Sequence, residues 1–166
     1  HFHGDHINGL VGADGKLAFA NAEILVPAAE WAYWMDEGNA SRAPEGLKGN
    51  FANAKRVFDA IGNKVTKYEG GKDVAPGILA MSTPGHTPGH TAWLLQSGSE
   101  NLLIWGDLVH LAAIQIPRPD TGLAYDVDPQ MACATRQRMF DRIAADRLRV
   151  GGMHIDFPGF GYVTRN

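Results

Sequence analysis

Short runs of β-branched and aliphatic residues, each bounded by Gly, Pro, Asn or Asp, recur along the chain. They predict strands over residues 16–20, 23–26, 64–68, 78–82, 91–96 and 101–105. A further short strand is predicted from Leu148, ahead of Gly151-Gly152-Met153-His154. Helical patterning lies between and after these runs. Residues 27–37 open with a proline suited to a first turn, and residues 50–61 close at Gly62. Residues 129–146 carry the clearest helical pattern: Asp128 is a good N-cap, Pro129 suits the first helical position, and Ala132, Arg136 (through its stem), Met139, Phe140 and Ile143 form one stripe. Residues 39–49 read as a loop, either covering a pocket or running over the surface. Strands and helices mixed in this order predict an α/β or α+β layered architecture, with residues 1–166 as a single domain.

Composition narrows the function classes. With 45% apolar residues in a chain of 166, a sizeable core can form. The 15 basic and 18 acidic residues leave a formal charge of −3, which provides no long-range attraction to phosphate backbones, so no nucleic-acid partner is expected. No apolar run approaches the roughly 20 residues of a membrane span, and no membrane partner is expected either. The single cysteine, Cys133, excludes an intrachain disulfide and a thiolate-rich zinc site, and its setting reads as buried helix. No signal peptide is visible, but the chain opens inside a motif, so cytoplasm and periplasm both stay open, as does a homodimer.

The seven histidines fall in four places: His1, His3 and His6; His86 and His90; His110; and His154. Filler histidines would scatter, so this clustering favours metal binding or proton transfer. In His1-Phe2-His3-Gly4-Asp5-His6, histidines two apart point the same way if the backbone is extended, and a bend at Gly4 turns Asp5 and His6 toward a second position. Such a run can serve two neighbouring cations. In Thr83-Pro84-Gly85-His86-Thr87-Pro88-Gly89-His90-Thr91, the proline and glycines exclude a helix, leaving a tight loop in which one histidine reaches a metal and the other holds the loop. Asp107 stands just beyond a buried strand, where a carboxylate is accessible at the sheet's edge and can bridge two cations.

Taken in order, His-x-His-x-Asp-His, a loop histidine, a post-strand Asp107 and the late His154 resemble the metallo-β-lactamase superfamily over nearly the whole chain. The resemblance implies an α+β fold, the αββα four-layer sandwich, whose first strands would precede this chain and be missing from residues 1–166. It implies that His1, His3 and His86 hold one metal, that Asp5, His6 and His154 hold the other, and that Asp107 bridges them. It also makes His86 the loop ligand and leaves His90 and Thr87 as supporting residues. Histidine rather than glutamate at position 3 favours two Zn²⁺, with Fe, Mn or Co as alternatives. Asp107 stands where the main zinc β-lactamases carry a cysteine, which argues against antibiotic hydrolysis. The segments 15–22, 106–115 and 154–161 look like the methyl parathion hydrolase group, near the quorum-quenching lactonases. That likeness implies a pocket for a small-molecule substrate lined by aromatic residues, with Trp34 and Phe51 at matching places and core packing as their other reading; His110 departs from the group, where an aliphatic residue stands, and either touches substrate or caps the site. The chemistry implied is hydrolysis of an ester, lactone or phosphotriester by a hydroxide shared between the metals, with Asp5 and Asp107 as catalytic carboxylates. A thioesterase of the glyoxalase II type and a catalytically silent metal-binding domain are the alternatives.

Overall fold

The two 17-residue helices, Glu45–Ile61 and Pro129–Ala145, each bury one face in the core of a different unit. The computed structural model describes residues 1–164, and the chain resolves into two units, His1–Glu69 and Gly70–Asn166. Among the described residues no helix is long and apolar enough to cross a membrane.

In the first unit a one-turn helix, α1 (Gly4–Ile7), follows the extended start of the chain. Strand β1 (Ile24–Pro27) leads into α2 (Ala28–Trp34), α3 (Glu37–Arg42) and α4 (Glu45–Ile61), and β2 (Val65–Tyr68) returns parallel to β1. The buried residues of α4, namely Phe51, Ala54, Val57, Phe58 and Ile61, recur at helical spacing and close the core against Phe2, Ile7, Val26 and Trp34. Gly62, at φ +64°, ends the helix in a conformation that glycine adopts without a Cβ penalty.

Two expectations fail in this unit. The strand predicted over residues 16–20 is a turn, because Gly12 N–H bonds the Lys16 carbonyl at 2.8 Å and the chain folds back after a single Val11–Leu17 bridge. The loop predicted over residues 39–49 is mostly helical. Asp36 caps α3 by accepting the Asn39 amide at 2.6 Å, and Pro44 opens α4 where no N–H is needed.

The second unit holds a six-stranded sheet in the order β3 (Lys72–Ala75), β4 (Ile78–Ser82), β5 (Thr91–Ser97), β6 (Glu100–Ile104), β7 (Arg149–Gly151) and β8 (Phe160–Tyr162). All neighbours are antiparallel except β6 and β7, which are joined by a crossover through α5 (Ala112–Gln115) and α6 (Pro129–Ala145). Met139, Phe140 and Ile143 of α6 pack with Leu94, Leu103, Trp105 and Val150 of the sheet segments. Asp128 caps α6 as expected, accepting the Met131 amide at 2.9 Å. Cys133 is half-buried rather than buried, its thiol donating to the Asp120 carbonyl at 3.2 Å. Arg136 is buried beyond its stem, at 1% exposure. Its guanidinium donates to the carbonyls of Leu108 (2.7 Å), Pro119 (2.9 Å) and Thr121 (2.7 Å), which satisfies the charge inside the unit. Strands β3 and β8 carried no sequence signal: the first is half charged and the second has only three residues, one of them glycine.

Candidate metal centre

In the first unit the histidine-rich run behaves as its spacing suggests. His3 is extended (φ −66°, ψ 153°), and helix α1 begins at Gly4, with the amides of His6 and Ile7 bonding the His3 carbonyl at 3.0 and 3.2 Å. The bend gathers the imidazoles: the ring of His1 lies 4.6 Å from that of His3 and 4.1 Å from that of His6. Asp5 sits 3.4 Å from His6 Nε2 and is largely exposed, while His3 is buried. Three imidazoles this close would repel one another if protonated, whereas as neutral donors they suit cation binding. Beneath them, Phe2 packs on Phe58 at 4.2 Å and its amide donates to Glu30. Trp34 and Phe51 lie in an aromatic cluster of the same unit, 4.6 Å apart and both buried. They border an open surface pocket of about 420 Å³ whose rim also carries charged Asp36, Glu37, Lys48 and Lys55.

The second unit places the other half of the candidates. The 83–90 loop is closed by backbone bonds: Thr83 to the His90 carbonyl (2.9 Å), and Gly85 and His90 to the Thr87 carbonyl (3.0 and 3.2 Å). Thr87 therefore holds this loop through its carbonyl. The loop is also fastened to the start of α6. Val127 and Asp128 donate to the carbonyls of His86 and Gly85, both at 3.0 Å, and a Cβ on Gly85 would lie only 2.2 Å from the Ala132 nitrogen.

His86 is aimed from both ends. Its Nε2 lies 3.2 Å from Asp107 Oδ2 and its Nδ1 lies 2.9 Å from Asp126 Oδ1. Burial alone would lower its pKa, but the two carboxylates outweigh burial and hold it above the usual histidine value. Asp126 shows the mirror image. Burial pushes its carboxyl up, but His86 and the Leu123 amide outweigh this and keep it below the usual range.

His90 has a different task. Its Nε2 accepts the Asp107 amide at 2.9 Å, so the ring proton belongs on Nδ1, beside Thr83 Oγ1 (2.8 Å) and the Thr83 carbonyl (3.1 Å). Burial drives its pKa well below the ordinary value, and neighbouring His86 pushes the same way, so His90 stays neutral. Gly106, at φ +55°, makes room for this ring, because a Cβ there would come within 2.8 Å of His90 Nε2.

The result is a buried carboxylate facing three imidazoles. Asp107 is 2% exposed. Its Oδ2 meets His86 Nε2 at 3.2 Å and His110 Nε2 at 3.0 Å, and its Oδ1 meets His154 Nε2 at 3.2 Å. His110 stacks on His154 at 4.7 Å, and its backbone amide is held by buried Gln115 at 2.8 Å. His154 rides on the turn after β7, where Gly152 lets Trp105 approach; a Cβ on Gly152 would stand 2.2 Å from the indole nitrogen. Nitrogen and carboxylate donors converging on one buried point fit a divalent cation of the zinc, iron or manganese type. Sequence reading missed Asp126, Glu30 and Gln115, which are distant in the chain from the motifs they hold and belong to no motif of their own.

The comparisons with known proteins identify the family. Residues 1–149 match the metallo-beta-lactamase superfamily. An N-acyl homoserine lactonase from a Bacillus species is 33% identical over 97 residues, covering 58% of this chain and 31% of that protein. Among solved structures, the hydrolase AbOPH of the beta-lactamase superfamily superposes with a TM-score of 0.90 at 31% identity, covering all of this chain and 58% of that one. The dizinc quorum-quenching lactonase AidC, solved with a product, gives the same TM-score of 0.90 and 31% identity, with 100% and 59% covered. The chain spans about a third of the length of the curated relatives it matches. By motif, donor set and fold, the chain belongs to the metallo-beta-lactamase superfamily.

Proposed function

We propose that this chain carries the metal-binding part of a dinuclear zinc hydrolase that opens lactones, with other esters and phosphotriesters as related substrates. The observation that carries the reading is buried Asp107 with an imidazole nitrogen at 3.0–3.2 Å on both of its oxygens. His1, His3 and His86 are assigned to one ion, Asp5, His6 and His154 to the other, and Asp107 to the bridge. Motif order, family membership and the convergence of donors within each unit support this assignment. Lactone as substrate, and zinc as metal, are supported by relatives named as homoserine lactonases, one of them dizinc.

A pair of such cations supplies a nucleophile from water at neutral pH and polarises the scissile oxygen. The chain's own residues do the rest. Asp5, the most exposed carboxylate of the set, orients the attacking water and accepts its proton. His90 and Asp126 hold Asp107 and His86 in place, so little reorganisation accompanies turnover. His110, half-buried on the Asp107 carboxylate, meets the substrate, whereas Trp34 and Phe51, 1% and 3% exposed, fit the core-packing reading better than a substrate wall.

The test is metal analysis of the zinc-loaded full chain, with turnover of a lactone, an aryl ester, a phosphotriester and a thioester. The expected result is stoichiometric zinc and lactone turnover that Asp107→Ala abolishes. A chain that takes up no stoichiometric metal, or an Asp107→Ala variant with undiminished turnover, overturns the proposal. Thioester turnover exceeding that of the lactone moves the assignment to the glyoxalase II type.

A further inference from the structure

Glu30 on α2 is wholly buried, at 0% exposure. One oxygen of its carboxylate, Oε1, accepts two hydrogen bonds: from the backbone N–H of Phe2 at 2.9 Å and from the indole N–H of Trp34 at 2.6 Å. Burying a carboxylate is costly unless donors surround it, and a helix position that served only packing would be filled more cheaply by leucine or methionine. The anchored residue is the one between His1 and His3. Phe2 is held on its other side as well, because its buried ring lies on Phe58 of α4 at 4.2 Å.

The Phe2 N–H belongs to the peptide that joins His1 to Phe2. Rotation of that peptide changes the direction of the His1 side chain on one side and the path of the backbone into His3 on the other. With the amide fixed by α2 and the ring by α4, neither rotation is open. We propose that Glu30 is a positioning residue for the metal centre, one that fixes the aim of His1 and His3 by holding the Phe2 amide. This rests on the metal-centre reading above, and it adds a residue that no ligand motif contains.

The test measures zinc affinity of the full chain by competition with a chromophoric chelator, and the visible spectrum of the cobalt-loaded form. Glu30→Ala removes the acceptor and should weaken metal binding by about 10- to 100-fold, the loss expected when a partner orienting a ligand is deleted. Its cobalt spectrum should shift, since the ligand geometry has changed. Glu30→Gln keeps an oxygen at the same place and should restore both affinity and spectrum. Val57→Ala, a cavity in the same core, should lower the melting temperature and leave both metal readouts unchanged.

If Glu30→Ala only lowers the melting temperature, as Val57→Ala does, Glu30 is a packing residue and the proposal is overturned. If Glu30→Gln falls as far as Glu30→Ala, the charge matters rather than the anchor, which also overturns it. Should Glu30→Ala fail to fold, Glu30→Asp retains the charge but withdraws the oxygen, and wild-type metal binding by that variant overturns the proposal. A wild-type chain that binds neither zinc nor cobalt fails at the earlier step, the metal-centre reading itself.

Discussion

Deleting the Asp126 carboxylate tests whether outer partners set metal affinity in this chain. Asp126 Oδ1 lies 2.9 Å from His86 Nδ1, and its Oδ2 accepts the Leu123 amide at 2.9 Å, so the carboxylate both orients the ring and is itself held. In Asp126→Ala the Nδ1–H of a histidine that is 3% exposed loses its acceptor. Leaving such a donor buried and unsatisfied costs about 1–3 kcal/mol. Loss of a partner that orients a ligand histidine typically weakens metal binding by about 10- to 100-fold, or about 1.4–2.7 kcal/mol. The two routes agree. The upper end is expected, because once Asp126 is gone His86 can move its proton to Nε2, and that tautomer has no lone pair to offer the metal. Competition with a chromophoric chelator would measure the affinity, and Asp126→Asn, which keeps an acceptor, should lie between the alanine variant and wild type. A folded Asp126→Ala chain with wild-type zinc affinity would refute the reasoning, leaving the His86–Asp126 pair as a loop contact only.

Gly106→Ala should lower the melting temperature and the metal content together. It forces a side chain into φ +55° and drives a Cβ to 2.8 Å from His90 Nε2, at a cost of about 1–3 kcal/mol; unchanged zinc stoichiometry would speak against the anchoring role of His90. Gly152→Ala sets a Cβ 2.2 Å from the Trp105 indole nitrogen, so the turn bearing His154 must shift, and titration should show the loss of one bound ion before the other. A pH scan of the metal-free chain checks His90, whose folded pKa is depressed above all by burial, with neighbouring His86 pushing the same way. A histidine kept neutral in the fold stabilises fully above its unfolded pKa of about 6.5. That stability drains as pH falls below this value, by at most about 1.4 kcal/mol per pH unit. His86, raised instead, acts in the opposite sense and above that pH, so the two windows do not overlap. Melting temperatures should fall more steeply below about pH 6.5 in wild type than in His90→Gln, and parallel profiles would contradict the assignment.

What could be read from the sequence was what repeats locally. Strands β4, β5 and β6 announced themselves as aliphatic runs between turn residues, and α6 through Asp128, Pro129 and a stripe that ends in Ile143. That residues 83–90 form a loop followed from Pro88, Gly85 and Gly89, which leave no helix on which His86 and His90 could share a face, while the assignment of His86 rather than His90 as ligand came only from the family resemblance. Residues 16–20 misled because an apolar run cannot show that Gly12 and Lys16 will close a turn upon it. Residues 39–49 misled because a stretch rich in Gly, Asn, Ser and Pro reads as a loop, whereas Pro44 stands at the N-terminal cap of α4. Glu30 and Asp126 were out of reach for a deeper reason. Their partners lie 28 and 40 residues away, and a carboxylate that will be buried looks no different in a string of letters from one that faces water.

Arg136 divides the crossover between β6 and β7 into parts that must stay and parts that can change. Its guanidinium grips the carbonyls of Leu108, Pro119 and Thr121, so the chain is fastened just after Asp107 and again just before α6. Gln115 adds an internal stay by holding the amides of His110 and Leu111. Between these fastenings, the side chains of Leu111 and Ile114 are about half exposed, and the bonds that hold Gln115 there run through the Leu111 backbone. These two positions are places for variation: the side chains of Leu111 and Ile114 can be exchanged in a library while His110, Gln115 and the donors stay where they are. A lineage could vary those two positions by ordinary point mutation without disturbing the residues that hold Asp107.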